Sequence, residues 1–339
     1  AAPNWCATPS STGLLTEPVL STELPEALNR GHAYRDRVTP HDVGQSLSAF
    51  YAARHAHSSG AVWLQRLAAG EICRNGQQLQ ADVALAVGDG LVWHRPPWQE
   101  AAVPVLPSPL FDDGDLLVFD KPSGLPVLPA GGFLEHTLLA QLQARWPEAR
   151  PVHRLGRFTS GLLVCARLPA SRAWLSALLR ESTAQRRCTK TYRALLQPPA
   201  PGSPLLALVP DQQLSLTTPI GRCAHGRLGT IWAAAPANPA ALPASSALRL
   251  LERGERAWLV EVTIATGRPH QIRIHTAAAG APLLGDPLYG PGGLASEQAL
   301  PGDGGYHLHA HRLQLVCPDG GLLALEAPLP EALRGAADG

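Results

Sequence analysis

Residues 267–275 have the sequence GRPHQIRIH, and the rest of the chain is best interpreted outward from them. The apolar run 257–265 in front of them predicts a strand, and the Ala-rich segment that they open predicts a helix. Arginine and histidine side chains at a helix N-terminus can bind a phosphodiester, because guanidinium groups and free backbone N–H groups both favour anions. A structural helix cap with ion pairs is the alternative interpretation.

Two further stretches lie earlier in the chain. Residues 151–161, PVHRLGRFTSG, combine basic, aromatic and small side chains in front of a buried-type strand predicted over 161–166. Residues 190–194, KTYRA, place Tyr192 between cationic side chains, which suits stacking on a base beside a phosphate. A half-buried strand tyrosine is the alternative for Tyr192. Each stretch is weak evidence alone, but the three in this order are specific.

The three stretches together resemble the RluA-type pseudouridine synthase family, whose members isomerise uridine in ribosomal and transfer RNA. The resemblance extends over residues 42–328 and includes DKPSGL at 120–125 and GDPLYG at 285–290. In that family the tyrosine of the second motif packs on the target uracil, and the last arginine of the third motif pairs with a catalytic carboxylate. The resemblance therefore implies these roles for Tyr192 and Arg273.

The chain departs from the family pattern at Gly156. The family has its catalytic Asp directly after the residues that match HRL at 153–155, whereas this chain has glycine there. Pseudouridine formation breaks the N1–C1′ bond, turns the base and joins C5 to C1′, and a carboxylate is its central catalyst. We therefore expect either that another acid compensates, with Asp286 as the first candidate and Asp120 as the second, or that the protein binds RNA without catalysis.

Glycine at position 156 also affects Arg273. The resemblance implies that this arginine pairs with the catalytic carboxylate, which glycine does not supply. A buried arginine without a partner costs several kcal/mol. We therefore expect Arg273 to be solvated, to pair with Asp286 or another acid, or to bind an RNA phosphate.

The reaction requires the target uridine to leave the RNA helix. Flipping costs a few kcal/mol, which stacking on a tyrosine and contacts to phosphates recover. Arg154 is predicted to fill the gap in the RNA helix or to hold the flipped nucleotide, and Arg268 and His270 are predicted to contact a phosphate or a base edge. The other predicted RNA-binding residues are polar side chains of the same three stretches, namely His153, Arg157, Lys190, Arg193 and Gln271.

Composition and charge limit the possible classes of protein. The chain has 339 residues, 45% of them hydrophobic and only 16% charged, which excludes a coiled coil, a collagen-like chain and a fully disordered chain. The net charge of +1 does not indicate an anionic partner. However, eleven Arg or Lys and only two acids lie between Arg145 and Arg193, which is either an anion-binding face or a solvated surface balanced by acids elsewhere.

The sequence does not indicate a cofactor. It contains neither a G-x-G-x-x-G after a strand nor a P-loop, so we expect no nucleotide cofactor. His307, His309 and His311 alternate along a predicted strand and share one face, so they are a candidate metal site of an unrelated hydrolase. An edge strand with a polar outer face is favoured instead, because no carboxylate or thiol lies nearby, and we predict no metal.

The six cysteines are scattered without a C-x-x-C pair, which is typical of a reduced, cytoplasmic protein. No apolar run approaches the roughly 20 residues of a membrane helix, and no signal peptide is visible. We expect a monomer that does not bind membranes. The chain contains no Met, even at its start, so we expect a trimmed start or an incomplete reading frame.

Five segments are predicted along the chain: an irregular lead-in (1–41), an S4-like RNA-binding module (42–98), a proline-rich linker (99–112), a pseudouridine synthase-like catalytic domain (113–330) and a tail (331–339). The module is predicted to hold two helices and a small sheet with an Asn-Gly turn at 75–76 and strands at 83–87 and 91–94. Strands and helices mix without regular alternation, so the fold class is α+β with a mixed or antiparallel central sheet flanked by helices.

Overall fold

The computed structural model describes residues 22–55, 57–181, 187–318 and 320–335. Cys6, Arg186, most of the predicted lead-in and the end of the predicted tail lie outside the described residues. The chain divides into two compact units, of which the smaller comprises 26–100 and 224–230.

The first nine elements cover the described residues up to Glu100. They are β1 (Glu23–Leu24), β2 (Ala27–Leu28), β3 (His32–Arg37), α1 (Leu47–Arg54), α2 (Gly60–Ala68), β4 (Ile72–Arg74), β5 (Gln77–Gln78), β6 (Gly90–Arg95) and β7 (Gln99–Glu100).

The smaller unit packs α1 and α2 against a four-stranded sheet with the order β3-β6-β4-β5. The side chains of Ser46 and Ser59 accept hydrogen bonds from the first turns of α1 and α2, which caps both helices. Trp63 and Tyr51 stack at the centre of this core, with 4.5 Å between ring centroids.

The sequence predicted the two helices and the Asn-Gly turn of this unit, and both predictions are confirmed. Asn75 and Gly76 have φ angles of 51° and 84°, as a type I′ hairpin turn requires. The strand predicted at 83–87 was wrong, because this segment forms only a single bridge, between Ala84 and Ser46. The irregular chain predicted up to residue 41 was also wrong for His32–Arg37, which pairs along its whole length with β6. That pairing is a tertiary effect, which local composition does not reveal.

The remaining elements belong mainly to the larger unit. They are β8 (Val103–Pro104), β9 (Phe111–Asp112), β10 (Leu116–Lys121), α3 (Leu138–Arg145), β11 (Arg150–Pro151), β12 (Thr159–Ala166), α4 (Pro169–Glu181), β13 (Cys188–Leu196), β14 (Gln213–Leu216), β15 (Ile220–His225), β16 (Gly229–Ala234), β17 (Ser246–Arg253), β18 (Trp258–Ile264), α5 (Gln271–Ala278), β19 (Leu308–Val316) and β20 (Leu322–Glu326), with short 3₁₀ turns at Pro204–Ala207 and Glu331–Leu333.

A ten-stranded mixed sheet forms the centre of the larger unit. Its main path is β14-β17-β18-β13-β19-β12-β10-β9, and β11 and β20 pair with β12 and β19. The pair β12–β19 is parallel, whereas the other pairs of the sheet are antiparallel. The predicted fold class, α+β with a mixed sheet, is therefore confirmed.

Helices cover both faces of this sheet. Neighbouring residues of β10 point to opposite faces, as in any strand. Leu116 packs in the cluster that contains Leu175 of α4, whereas Leu117 packs in the cluster that contains Leu138 of α3.

Gly161 allows β12 and β19 to lie close together. Its φ is 98°, it pairs with Ala310, and a Cβ at this position would overlap the backbone of that residue. The close parallel pairing brings the loop before β12, residues 152–158, next to the start of β19. The candidate site forms at this junction.

Candidate active site

The N-terminus of α5 is held by Gln271, which is almost completely buried. Its Oε1 accepts hydrogen bonds from the Arg268 backbone N–H (3.0 Å) and from Thr266 Oγ1 (2.7 Å). Its Nε2 donates to the carbonyl of Ser245 and to Ser246 Oγ at the start of β17, both at 2.9 Å. These bonds tie the helix start to the sheet and leave Gln271 no polar atom for RNA in this conformation.

Arg273 of α5 forms a buried ion pair with Asp286. Its Nε and Nη2 donate to the two carboxylate oxygens at 2.7 Å each, and the side chains are 3% and 0% exposed. Asp286 also accepts a hydrogen bond from the backbone N–H of Leu288. Such bidentate geometry is what a buried charge pair requires. Of the arrangements expected for Arg273, the structure therefore has the pair with Asp286, and that pair leaves no exposed carboxylate for a substrate.

Two aromatic rings enclose the guanidinium of Arg273. It lies 4.3 Å from the ring centroid of Tyr306 and 5.1 Å from that of Tyr289. These cation–π contacts add to the stabilisation of the buried cation.

The hydroxyl of Tyr306 fills the space beside Gly156. A Cβ on Gly156 would overlap Tyr306 Oη and would lie 3.2 Å from Thr159 Oγ1. The two hydroxyl oxygens of Tyr306 and Thr159 are 3.3 Å apart. The sequence analysis missed Tyr306, because a single tyrosine after a glycine-rich loop carries no motif. The absent side chain of residue 156 was the only signal that something else must occupy this space.

His270 is neutral in this arrangement. Tyr289 Oη donates to the carbonyl of Trp232 (2.7 Å), so it accepts from His270 Nδ1, also at 2.7 Å. Burial and the charge of Arg273 lower the pKa of His270 to about 3, and the exposed Arg154 adds to this effect. His270 therefore offers polar contacts to a ligand rather than a positive charge.

Two other predicted RNA-binding residues bond to the protein itself. His153 Nε2 accepts a hydrogen bond from the Val164 backbone N–H at 3.0 Å, and burial with the nearby charge of Lys190 lowers its pKa to about 4. Lys190 Nζ donates to the carbonyl of Leu179 at 2.6 Å, close to the end of α4. In the described conformation both side chains support the fold.

Arg157 is positioned together with Lys121, which the sequence analysis did not single out. Arg157 Nε donates to the Gly124 carbonyl at 3.0 Å, and its guanidinium lies over the ring of Phe133. The fully buried Lys121 Nζ donates to three carbonyls, including that of Arg157 at 2.9 Å. Lys121 thus fixes the loop that contains Gly156.

The remaining predicted cations differ in exposure. Arg268 is partly exposed and donates from Nε to the Pro243 carbonyl at 3.0 Å. Arg193 is buried, and its Nε lies 3.4 Å from Glu261 Oε2. Of the two, only Arg268 presents surface to a ligand.

Tyr192 lies on β13, opposite Ala310 of β19. The side chain is partly exposed and packs against the core cluster that contains Tyr306. Burial raises the pKa of its hydroxyl, so the phenol is neutral at physiological pH.

The three histidines near β19 do not form a metal site. His309 Nδ1 bonds to Ser160 Oγ and His311 Nδ1 to the Ala327 carbonyl, both at 2.9 Å. Throughout the described part of the chain, no group of three or more His, Cys, Asp or Glu is arranged to hold a metal ion. A separate search of the same residues found no helix with the length and apolarity of a membrane span.

Comparisons with known proteins assign this fold and its polar centre to an RNA-modifying class of protein. Residues 115–278 match the family model for RNA pseudouridylate synthase. An uncharacterized RNA pseudouridine synthase of Synechocystis is 42% identical, over 84% of this chain and 94% of its own. Ribosomal large subunit pseudouridine synthase D of Neisseria meningitidis is 37% identical over 66% of this chain and 58% of its own. A structure of human RNA pseudouridylate synthase domain containing 1 superposes with a TM-score of 0.50 at 25% identity, covering 67% of this chain and 86% of that one.

The chain therefore belongs to the RNA pseudouridine synthase family. Family membership therefore argues against the metal-dependent hydrolase for which His307, His309 and His311 were candidate ligands.

Proposed function

We propose that this chain converts uridine to pseudouridine in structured RNA, and that it does so despite glycine at position 156. The observation that carries the proposal is the 42% identity to an RNA pseudouridine synthase over most of both chains. The reaction adds and removes no atoms, because it breaks the N1–C1′ bond and joins C5 to the same C1′. No external oxidant, reductant or group donor is needed.

The substrate is ribosomal or transfer RNA, and ribosomal large-subunit RNA is the first to test. One relative bears the name of a large-subunit enzyme, although this chain spans only 58% of its length. We infer that Tyr192 packs on the flipped uracil and that the exposed Arg154 occupies the gap in the RNA or holds the flipped nucleotide. In this proposal Arg268, next to the N-terminus of α5, contacts a phosphate.

We propose that the smaller unit is an S4-like module that docks structured RNA, and that the enzyme acts as a cytoplasmic monomer. Sedimentation of the full chain tests the last point directly, because a monomer has a mass of 35.8 kDa. A mass of twice this value at micromolar concentration contradicts the monomer.

The alternative is a protein that keeps the fold and binds RNA without catalysis. It is the less favoured of the two, because the relatives are named as synthases. Pseudouridine mapping by chemical labelling in cells that lack the protein, with and without its re-expression, distinguishes the two. Active enzyme predicts at least one site that disappears and returns. No changed site, together with RNA binding by the purified chain, supports the alternative.

The same experiment has a matched control within the chain. Re-expression of an Arg256→Ala variant is expected to restore the sites, because this exposed arginine lies in the turn before β18, away from the candidate site. Re-expression of Tyr192→Ala is expected to restore none of them. If the Tyr192→Ala variant restores every site as fully as the wild type, the role of Tyr192 is wrong.

A further inference from the structure

The structure places a phenol where the chain lacks a side chain. Tyr306 Oη takes up the volume that a side chain on Gly156 would need, and its ring packs on the guanidinium of Arg273 at 4.3 Å. Thr159 Oγ1 lies 3.3 Å from the same oxygen. The phenol oxygen therefore sits beside Gly156, and the phenol ring lies against a guanidinium that is paired with Asp286.

A phenol oxygen can serve as the nucleophile in chemistry at a sugar C1′. Some glycoside-cleaving enzymes use tyrosine in this way instead of a carboxylate. A nearby cation stabilises the negative charge that develops on the oxygen during the reaction. Asp286 is a poorer candidate, because both its oxygens bond to Arg273.

We propose that Tyr306 is the catalytic nucleophile of this chain and replaces the carboxylate that glycine at position 156 cannot supply. This inference rests on the proposed function, because it needs an active synthase. It assigns a catalytic role to a residue outside the three motifs.

Atoms and electrons balance over two steps. In the first, Tyr306 Oη attacks C1′ of the target uridine, the N1–C1′ bond breaks with its electron pair going to N1, and the phenol proton moves to N1. The results are a neutral uracil and an aryl glycoside. In the second, the base has turned and C5 attacks C1′, the Oη–C1′ bond breaks with its electron pair returning to Oη, and the C5 proton goes to Oη. The phenol is regenerated, and the product carries a proton on N1.

Access to Oη requires the site to open, since Tyr306 is only 2% exposed. The residues directly in front of it, 302–305, are exposed and include Gly302, Gly304 and Gly305. Glycine imposes few restrictions on backbone rotation, so this segment can rearrange when RNA binds.

The first variant to test is Tyr306→Phe, which keeps the ring on Arg273 and removes only the oxygen. With the RNA in which the wild type forms pseudouridine, we expect the single-turnover rate to fall by about 1000-fold or more. RNA affinity and the thermal midpoint are expected to stay unchanged. A rate within about threefold of wild type overturns the proposal. A rate that falls only in step with RNA affinity also overturns it, because it indicates a role in binding.

A second pair of variants tests whether the phenol and a carboxylate serve the same purpose. Gly156→Asp alone is expected to be inactive, because the new side chain collides with Tyr306 Oη. The double variant G156D/Y306A removes the collision and supplies a carboxylate in the space that the phenol leaves. It is expected to turn over at least tenfold faster than Tyr306→Ala alone. If the double variant is no faster than Tyr306→Ala, the proposal that the phenol and a carboxylate have the same catalytic role is wrong.

Activity of the wild type distinguishes a wrong proposed function from a wrong role for Tyr306. If the wild-type chain forms no pseudouridine in total RNA from cells that lack the protein, the proposed function and the role of Tyr306 both fall. If the wild type is active and Tyr306→Phe is equally active, only the role of Tyr306 falls.

Discussion

Asp286 keeps the guanidinium of Arg273 inside the larger unit. Replacing it with Asn leaves a buried cation without a countercharge, and breaking such pairs costs about 3–5 kcal/mol. We therefore expect Asp286→Asn to lower the free energy of unfolding by this amount in urea. Asp211→Asn is the matched control, because Asp211 pairs with Arg249 while 80% exposed, where an ion pair is worth at most about 1 kcal/mol. Equal losses of unfolding free energy in the two variants would show that burial does not strengthen the Arg273–Asp286 pair.

The ring of His153 makes stability depend on pH. Its folded pKa of about 4 lies below the ordinary value of 6.5, so the unfolded chain binds more protons between these pH values. The stabilisation is present above pH 6.5 and is lost as the pH falls towards 4, at up to about 3 kcal/mol. Burial of His270 acts in the same direction.

We expect the free energy of unfolding of His153→Gln to change less between pH 4 and 7 than that of the wild type. An amide oxygen can still accept the hydrogen bond from the Val164 backbone N–H, but the amide does not titrate. Urea unfolding at several pH values between 4 and 7 measures the slope. A slope in His153→Gln equal to that of the wild type would assign the acid sensitivity to other groups.

Among the elements, the pairing of β12 with β19 depends most on one residue. Gly161 and Gly114 both have positive φ, 98° and 95°, so alanine is strained at either position. A Cβ at Gly161 also meets the backbone of Ala310, whereas a Cβ at Gly114 meets nothing within 4 Å.

We therefore expect Gly161→Ala to destabilise the larger unit by at least about 2 kcal/mol more than Gly114→Ala, because the strands must separate. Thermal unfolding compares the two variants, and pseudouridine formation should fall with Gly161→Ala, since the strand pair positions the loop around Gly156. A similar shift of the thermal midpoint in both variants would mean that backbone strain alone matters.

The elements also show how much the sequence reveals. The strands that became β12, β18 and β19 and the helices α1, α2 and α5 were predicted because each has an apolar run or a helical period. The hairpin β15–β16 was not predicted, since Gly, Arg and His interrupt the apolar pattern of residues 220–234. The two strands form a two-stranded sheet of their own, separate from the central sheet.

The candidate site, too, could be predicted from the sequence only in part. The three motifs are local patterns of charge and small residues, so the sequence alone predicts them as segments of the candidate site. Some polar side chains of the motifs bond to backbone groups elsewhere in the chain, as His153 Nε2 does to the Val164 N–H, and the sequence does not show these bonds. Tyr306 is 150 residues away from Gly156 along the chain, so only the structure reveals that they meet.

At the scale of the whole molecule, a net charge of +1 gives RNA no general attraction, so affinity must come from local cations. Of the cations predicted to bind RNA, Arg154 is the most exposed, and its charge acts on His270. We expect Arg154→Ala to weaken RNA binding and to reduce the slope of log affinity against log salt concentration by about one. Arg256→Ala is the control, because the seven residues of β18 separate its turn from the third motif by about 20 Å. Titrations of labelled RNA at several salt concentrations measure both slopes, and an unchanged slope for Arg154→Ala would mean that its guanidinium contacts the nucleotide or a base without releasing counterions from the backbone.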